Sequence, residues 1–297
     1  MTPAKKRVKL KIRFGPAGKP LGFKGDIVKV PSYLHEIGLN ALEVQQVRQI
    51  NIKKDRALEI KKAAEENDVL LSLHAPYAIN FSSEKEETIE ASKQRLLKAL
   101  EVAHWLDAYI VVFHPGYYGS RKPREALEIA IEAIKDVARI AKRKRLRPLI
   151  GPETMGKKSQ LGSLDEIIDM VKEIPNSKPV LDLPHIHARE GGILNTRKDY
   201  EKIFERLEDE LGKKAFNPLH IHFTKIEYSE KGERRHHAFG EGYGPRFIPL
   251  AEILVERELE ATIISESPIL EQDAIKMKKI AESILKGKSK KSLEKLE

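Results

Sequence analysis

Cysteine is absent from the chain. Disulfides and thiolate metal sites are therefore both excluded, and any bound metal has to be held by His, Asp and Glu side chains. Long apolar runs are missing too: no stretch approaches the roughly 18 uninterrupted apolar residues of a membrane span, and residues 1–11 are too charged for a secretory signal. A soluble, cytoplasmic protein without a membrane partner is expected. Linkers are the third absence. No segment is rich enough in Pro, Gly or Ser to divide the 297 residues, so a single domain is expected over 1–287, with a basic tail at 1–7. Residues 288–297 read as a second basic tail, disordered, and the expected state is a monomer.

A net charge of +9 suggests a polyanionic partner, but its distribution does not. Residues 1–11 carry five of these charges and residues 286–297 a net three, so the tails account for eight of the nine. The folded body is nearly neutral, and contact with a nucleic acid has to come from local patches. The opening Pro3-Ala4-Lys5-Lys6-Arg7-Val8-Lys9-Leu10 resembles a nuclear-import signal, although a solvated basic tail is the simpler reading. A charged content of 33%, carried on Lys- and Glu-rich helices, is a composition suited to a thermophile.

Short β-branched runs alternate with long amphipathic segments from end to end, the pattern of parallel strands joined by crossover helices. Strands are predicted at Val8–Phe14, Ala41–Gln45, Leu70–His74, Tyr109–His114, Pro148–Glu153, Pro179–Asp182, Pro218–Thr224 and Thr262–Glu266. Helices are predicted over Thr88–Leu106, Arg124–Lys144, Thr196–Leu211 and Ala274–Leu285, among others, from Leu, Ile and Ala at three- and four-residue spacing. Eight βα units close a (β/α)8 TIM barrel. An open doubly wound sheet is disfavoured because no G-x-G-x-x-G turn follows the first strand.

The histidines mark the chemistry. His35 and His104 fall within helical patterns, whereas the other eight of the ten lie at strand ends or in the loops just after them. In a barrel those points share one face, where active sites are built. His74 ends the third strand, His114 the fourth, Glu153 the fifth and Asp182 the sixth, with His185 three residues on; His220 and His222 lie on the seventh and Glu266 ends the eighth. Several carboxylates converging on one mouth repel one another and are costly to desolvate unless cations compensate them. Nitrogen and oxygen ligands without sulfur suit Zn2+, with Mn2+ or Fe as alternatives. Glu153, from the middle of the series, is the candidate catalytic bridge between two ions.

These residues carry a family resemblance. His74-Ala75-Pro76-Tyr77-Ala78-Ile79-Asn80, the Glu153 strand end, Asp182-x-x-His185, Arg235-His236-His237, Gly240-Glu241-Gly242 and Glu266 resemble the endonuclease IV family of AP endonucleases, in a divergent archaeal-type version. The resemblance covers almost the whole chain outside the tails. It implies a zinc barrel that flips an abasic nucleotide out of double-stranded DNA and cuts on its 5′ side, in base excision repair. It further implies one ion held by His74, His114 and Glu153, a second by Glu153, Asp182, His222 and Glu266, and a third by His185 and His236.

Departures from the family pattern bear on the third ion. Where the family places an Asp two residues before His236, this chain has Arg234, and H-x-N-D-x-K after the seventh strand reads His222-Phe223-Thr224-Lys225-Ile226-Glu227. A cation cannot coordinate zinc. The expectation is two firm ions and a third that is weak or absent, with Arg234 itself binding the scissile phosphate; the alternative has Glu233 or Glu241 supplying the missing carboxylate. Arg48, Tyr77, Arg234 and Arg235 are the expected DNA-binding residues, with Lys157, Lys158 and Arg189 completing a basic patch. The competing reading is a sugar isomerase or epimerase on the same barrel, using Glu153, Asp182, His222 and Glu266 around one divalent ion.

Overall fold

The computed structural model describes residues 10–297, apart from the side chains of Lys214 and Lys290. The basic tail expected at 1–7, with its import-like motif, lies outside the described residues. Eight parallel strands form the barrel: β1 (Ile12–Pro16), β2 (Ala41–Gln45), β3 (Leu70–His74), β4 (Ile110–Phe113), β5 (Leu149–Pro152), β6 (Val180–Asp182), β7 (Leu219–Phe223) and β8 (Ala261–Ser265). Pairing runs β2-β3-β4-β5 in one arc and β1-β8-β7-β6 in the other. The arcs close through parallel bridges, Ala17 with Glu43 on one side and Glu153 with Val180 on the other. The predicted (β/α)8 TIM barrel is thus what forms, with β2 and β3 at their predicted limits. The first strand, predicted from Val8, runs over Ile12–Pro16 among the described residues, two residues past its predicted end, and Val8 and Lys9 lie outside those residues.

Each crossover helix buries one stripe. In Pro123–Arg143 the buried positions are Ala126, Leu127, Ala130, Ile131, Ala133, Ile134, Val137, Ala138 and Ala141, the three-and-four spacing that turns one face to the sheet. Leu164–Glu173 starts on a capping box, in which the Ser163 hydroxyl and the Glu166 carboxylate exchange hydrogen bonds with each other's backbone N–H. No described helix is long and apolar enough to cross a membrane.

The expected disordered tail at 288–297 is corrected by the structure. Lys290–Glu294 form a short helix, and Leu293 is buried. The Glu297 carboxylate accepts hydrogen bonds from Lys225 Nζ at 2.6 Å and from the Phe247 N–H at 2.7 Å. Composition read the segment as solvated lysines. It could not show that Leu293 finds an apolar seat or that Lys225, buried beside the Phe239 ring, needs an anionic partner.

β1 and β2 pack closely at Gly15. A Cβ added at Gly15 would fall inside the backbone carbonyl of Ala41, so β1 and β2 approach as closely as they do only because the side chain is a hydrogen. Gly15→Ala should therefore destabilise the fold by about 3 kcal/mol, the upper range for overpacking. Urea denaturation followed by circular dichroism measures this; an unchanged midpoint would contradict the close approach.

Candidate metal centre

Parallel strands deliver their last residues to one rim, and the strand period of two sends alternate side chains inward. From β7, His220 and His222 both point into the barrel, and from β3 Ser72 and His74 do the same. At the rim the Glu153 carboxylate sits centrally. Its Oε2 lies 3.3 Å from His74 Nε2 and 3.2 Å from His114 Nε2, and its Oε1 lies 3.0 Å from His222 Nδ1. The same His222 Nδ1 is 3.4 Å from Glu266 Oε1 and 3.9 Å from Asp182 Oδ2. Asp182 caps the helix Leu183–Arg189 by accepting from the His185 N–H, which fixes His185 one turn beyond the strand.

All eight expected ligands are brought together. Of the four sets with ligand atoms mutually within 4.8 Å among the described residues, three contain them: His74, His114 and Glu153; Glu153, Asp182, His222 and Glu266; and His185, Glu233 and His236. The tethering of the imidazoles shows which nitrogen is available. Nδ1–H of His74 donates to the Ala75 carbonyl, that of His185 to the Thr154 carbonyl, and that of His236 to the Glu266 carbonyl. In each case Nε2 is left facing the cavity as a lone-pair donor, and a tether of this kind is what orients a metal-binding imidazole.

The electrostatics fit divalent cations. Burial, together with the charges of Glu266 and Glu153, pushes the Asp182 carboxyl well above its usual range. Burial acts the same way on Glu153, but the His222 and His114 imidazoles outweigh it and hold that carboxyl well below its usual value. Contacts with the imidazoles thus offset part of the repulsion among the carboxylates. The Asp182 Oδ2 and His236 Nε2 atoms are buried with no hydrogen-bond partner, an arrangement that is costly unless a ligand completes it. Dications between carboxylates and neutral imidazoles satisfy both atoms and remove the repulsion.

The third set contains Glu233, the carboxylate named as the alternative in the sequence. A bulge brings it there: in the hairpin formed by Lys225–Ser229 and Gly232–His237, Glu227 pairs with Arg235 and Tyr228 with Glu233, leaving Arg234 as the extra residue. One inserted residue inverts the alternation, so Glu233 shares a face with His236 although three positions separate them. Glu233 Oε2 lies 3.5 Å from His185 Nε2. Arg234 lies on the opposite face, largely exposed and paired with Glu227 at 3.1 Å. Glu241, the other candidate considered, is taken up by His237 at 2.5 Å.

Around the mouth, Arg48 is exposed on the loop after β2, and this loop is tied to the next by the Tyr77 N–H donating to the Val47 carbonyl. Tyr77 is 51% exposed and its ring stacks on His114, with centroids 5.0 Å apart. Arg235, Lys157 and Lys158 are exposed. Arg189, expected in the same patch, is buried instead; its guanidinium donates to the carbonyls of Lys157 and Gln160 and to the Tyr118 hydroxyl, holding the 155–160 loop in place. Glu43 was not singled out by sequence. A charged residue within the apolar run Ala41-Leu42-Glu43-Val44 was the available signal, and it lies fully buried beneath His222.

Residues 31–285 match the family model described as xylose isomerase-like TIM barrel. An uncharacterized protein of Methanocaldococcus jannaschii is 34% identical over 266 residues, 90% of this chain and 95% of its own length. A protein of aster yellows witches'-broom phytoplasma named probable endonuclease 4 is 27% identical over 251 residues, 80% of this chain and 82% of its own. Among solved structures, endonuclease IV from Thermus thermophilus superposes with a TM-score of 0.71 at 20% identity, covering 93% of this chain and 99% of that one. A D-tagatose 3-epimerase-like protein does so with a TM-score of 0.68 at 22% identity, covering 88% and 95%. At these identities the two structures speak for the shared fold alone.

The bulge generates a prediction. Glu233→Gln should lower the zinc content of metal-replete protein by about one ion per chain, whereas Arg234→Ala should leave it unchanged. Elemental analysis of both variants decides the matter: an unchanged content in Glu233→Gln with a rise in Arg234→Ala would return Arg234 to the site as a cation that disfavours the third ion.

Proposed function

Because the chain belongs to the xylose isomerase-like TIM barrel family, we propose that its mouth is a multinuclear zinc centre that hydrolyses phosphodiesters in DNA, cutting duplexes 5′ to abasic sites. The observation that carries this reading is the number of ligand sets. The quartet Glu153, Asp182, His222 and Glu266 is complete for one ion; His74 and His114 on one flank, and His185, Glu233 and His236 on the other, add two further sets within reach of the same centre. When bound, divalent ions supply Lewis acidity toward a phosphate ester and favour an ionised water as nucleophile.

The chain's own side chains do the remaining work. Glu153 presents one oxygen to the His74 and His114 side and the other to His222, so a single carboxylate spans two sets. Asp182, Glu266 and Glu233 provide negative charge that confines cations to the mouth, while Arg48, Lys157, Lys158 and Arg235 face solvent around it and suit a phosphate backbone. Tyr77, exposed over His114, is placed to fill the space left by an extruded nucleotide. Curated relatives named probable endonuclease 4 support the same reading.

A second reading has its own support. The quartet alone suits a one-ion sugar isomerase or epimerase, and the D-tagatose 3-epimerase-like protein has the same fold. Such an enzyme has no evident use for His74, His114, His185, Glu233 and His236.

The test is direct. Metal-replete protein should contain at least two divalent ions per chain, nick a duplex carrying one abasic site and leave ketoses unchanged, with EDTA abolishing the nicking. Glu153→Gln should abolish turnover with the circular dichroism spectrum intact, since the neutral amide cannot balance two cations. Ketose epimerisation without nicking would replace the nuclease reading with the second one.

A further inference from the structure

Below the metal-facing residues, the barrel interior holds a polar column to which the centre's chemistry assigns no role. Glu43 is its hub, fully buried and surrounded by four donors. Ser72 Oγ donates to it at 3.0 Å, Gln45 Nε2 at 3.1 Å, His220 Nε2 at 3.0 Å and His222 Nε2 at 3.1 Å. On its far side His220 takes a hydrogen bond at Nδ1 from the Tyr109 hydroxyl. The directions are fixed by the carboxylate. Glu43 only accepts, so His220 and His222 both turn an Nε2–H toward it, and the Nδ1 of a neutral His220 then accepts from the Tyr109 hydroxyl. The remaining nitrogen of His222, Nδ1, is the one lying 3.0 Å from Glu153 and 3.4 Å from Glu266.

We propose that Glu43 is the positioning residue of the metal centre: it locks the His222 ring and tautomer so that Nδ1 is presented to the ion shared by Glu153, Asp182 and Glu266. This contrasts with His74, His185 and His236, whose anchors are backbone carbonyls acting on Nδ1 and whose ligand atom is Nε2. His222 is reversed, and its anchor is a charge instead of a dipole. An anionic acceptor polarises the imidazole and makes its free nitrogen a stronger donor than a carbonyl does. Glu43, His220 and His222 also lie close enough together to hold an ion of their own. The four donors oppose that, because each already occupies a lone pair that a cation would need, and none of the three side chains has a buried polar atom without a partner.

The inference rests on the zinc reading of the mouth but not on the substrate. Long-range proton–nitrogen NMR of the zinc-loaded wild-type protein should show His222 protonated at Nε2 and metal-bound at Nδ1, and this measurement does not depend on any variant folding. Glu43→Gln should weaken the quartet's affinity for zinc, measured by competition against a chelator, by about 10–100-fold and alter the visible spectrum of the cobalt-substituted protein. Glu43→Asp, which restores the charge, should recover part of the affinity. If wild type binds no divalent ion, the zinc reading fails and the inference with it. If ions bind but Glu43→Gln keeps the affinity and the spectrum, or His222 is metal-bound through Nε2, the inference alone is overturned. An additional ion in wild type that is lost in Glu43→Gln would make Glu43 a ligand, which also overturns it.

Discussion

The mouth of the barrel is organised around the concentration of negative charge on Glu153, Asp182 and Glu266, with Glu43 directly beneath. Glu43, Glu153 and Asp182 are fully buried, and a carboxylate in that setting is costly unless each oxygen is paired. Much of the surrounding structure follows from this constraint. Histidines stand at strand ends because an imidazole can neutralise a carboxylate as a cation or share a metal ion with it as a neutral base. Backbone carbonyls of Ala75, Thr154 and Glu266 are turned toward the rings because a free ring would let the cluster rearrange. The barrel supplies the stiffness that keeps these groups from moving apart.

The same constraint bears on the hairpin after β7, where the resemblance led to a carboxylate being expected at position 234 and the sequence has an arginine. Moving a carboxylate one position along a regular strand sends it to the wrong face. Here the bulge at Arg234 restores parity, so Glu233 faces His185 and the arginine is turned toward Glu227. A backbone adjustment of one residue therefore preserves the charge of the third set. It also releases Arg234 and Arg235 to the outer face of the hairpin, adding exposed positive charge near a mouth whose interior is acidic.

Much of this was legible in sequence because it depends on local periodicity. The strands at Ala41–Gln45 and Leu70–His74 and the helices through Leu106 and Leu211 follow from alternation and from three-and-four spacing; the candidate ligands His74, His114, Glu153, Asp182, His222 and Glu266 follow from their position at strand ends, and His236 from the family resemblance. What was missed depends on contacts between distant segments. Glu43 is paired with residues 29 and 177 positions away, so its role exists only once the barrel is closed. Arg189 looked like a rim cation because its carbonyl partners are invisible in sequence, and Leu293 looked solvated because its apolar seat is made by the folded body. The bulge at Arg234 is a matter of pairing across a hairpin, which composition does not encode.

Two chemistries can occupy one barrel, and what separates them here is the placement of surplus ligands. The quartet around His222 is the common element, sufficient for a single ion and compatible with polarising a sugar carbonyl or a phosphate. His74 and His114 extend it toward Tyr77 and the Arg48 loop; His185, Glu233 and His236 extend it toward the hairpin carrying Arg235. Both extensions run toward exposed aromatic or cationic side chains, the direction in which a long polyanion would lie. A one-ion reaction on the quartet would leave these flanks without an evident function. The flanks, more than the centre, are therefore what the proposed reading rests on, since the cations of the crossover helices are largely taken up in ion pairs with neighbouring carboxylates.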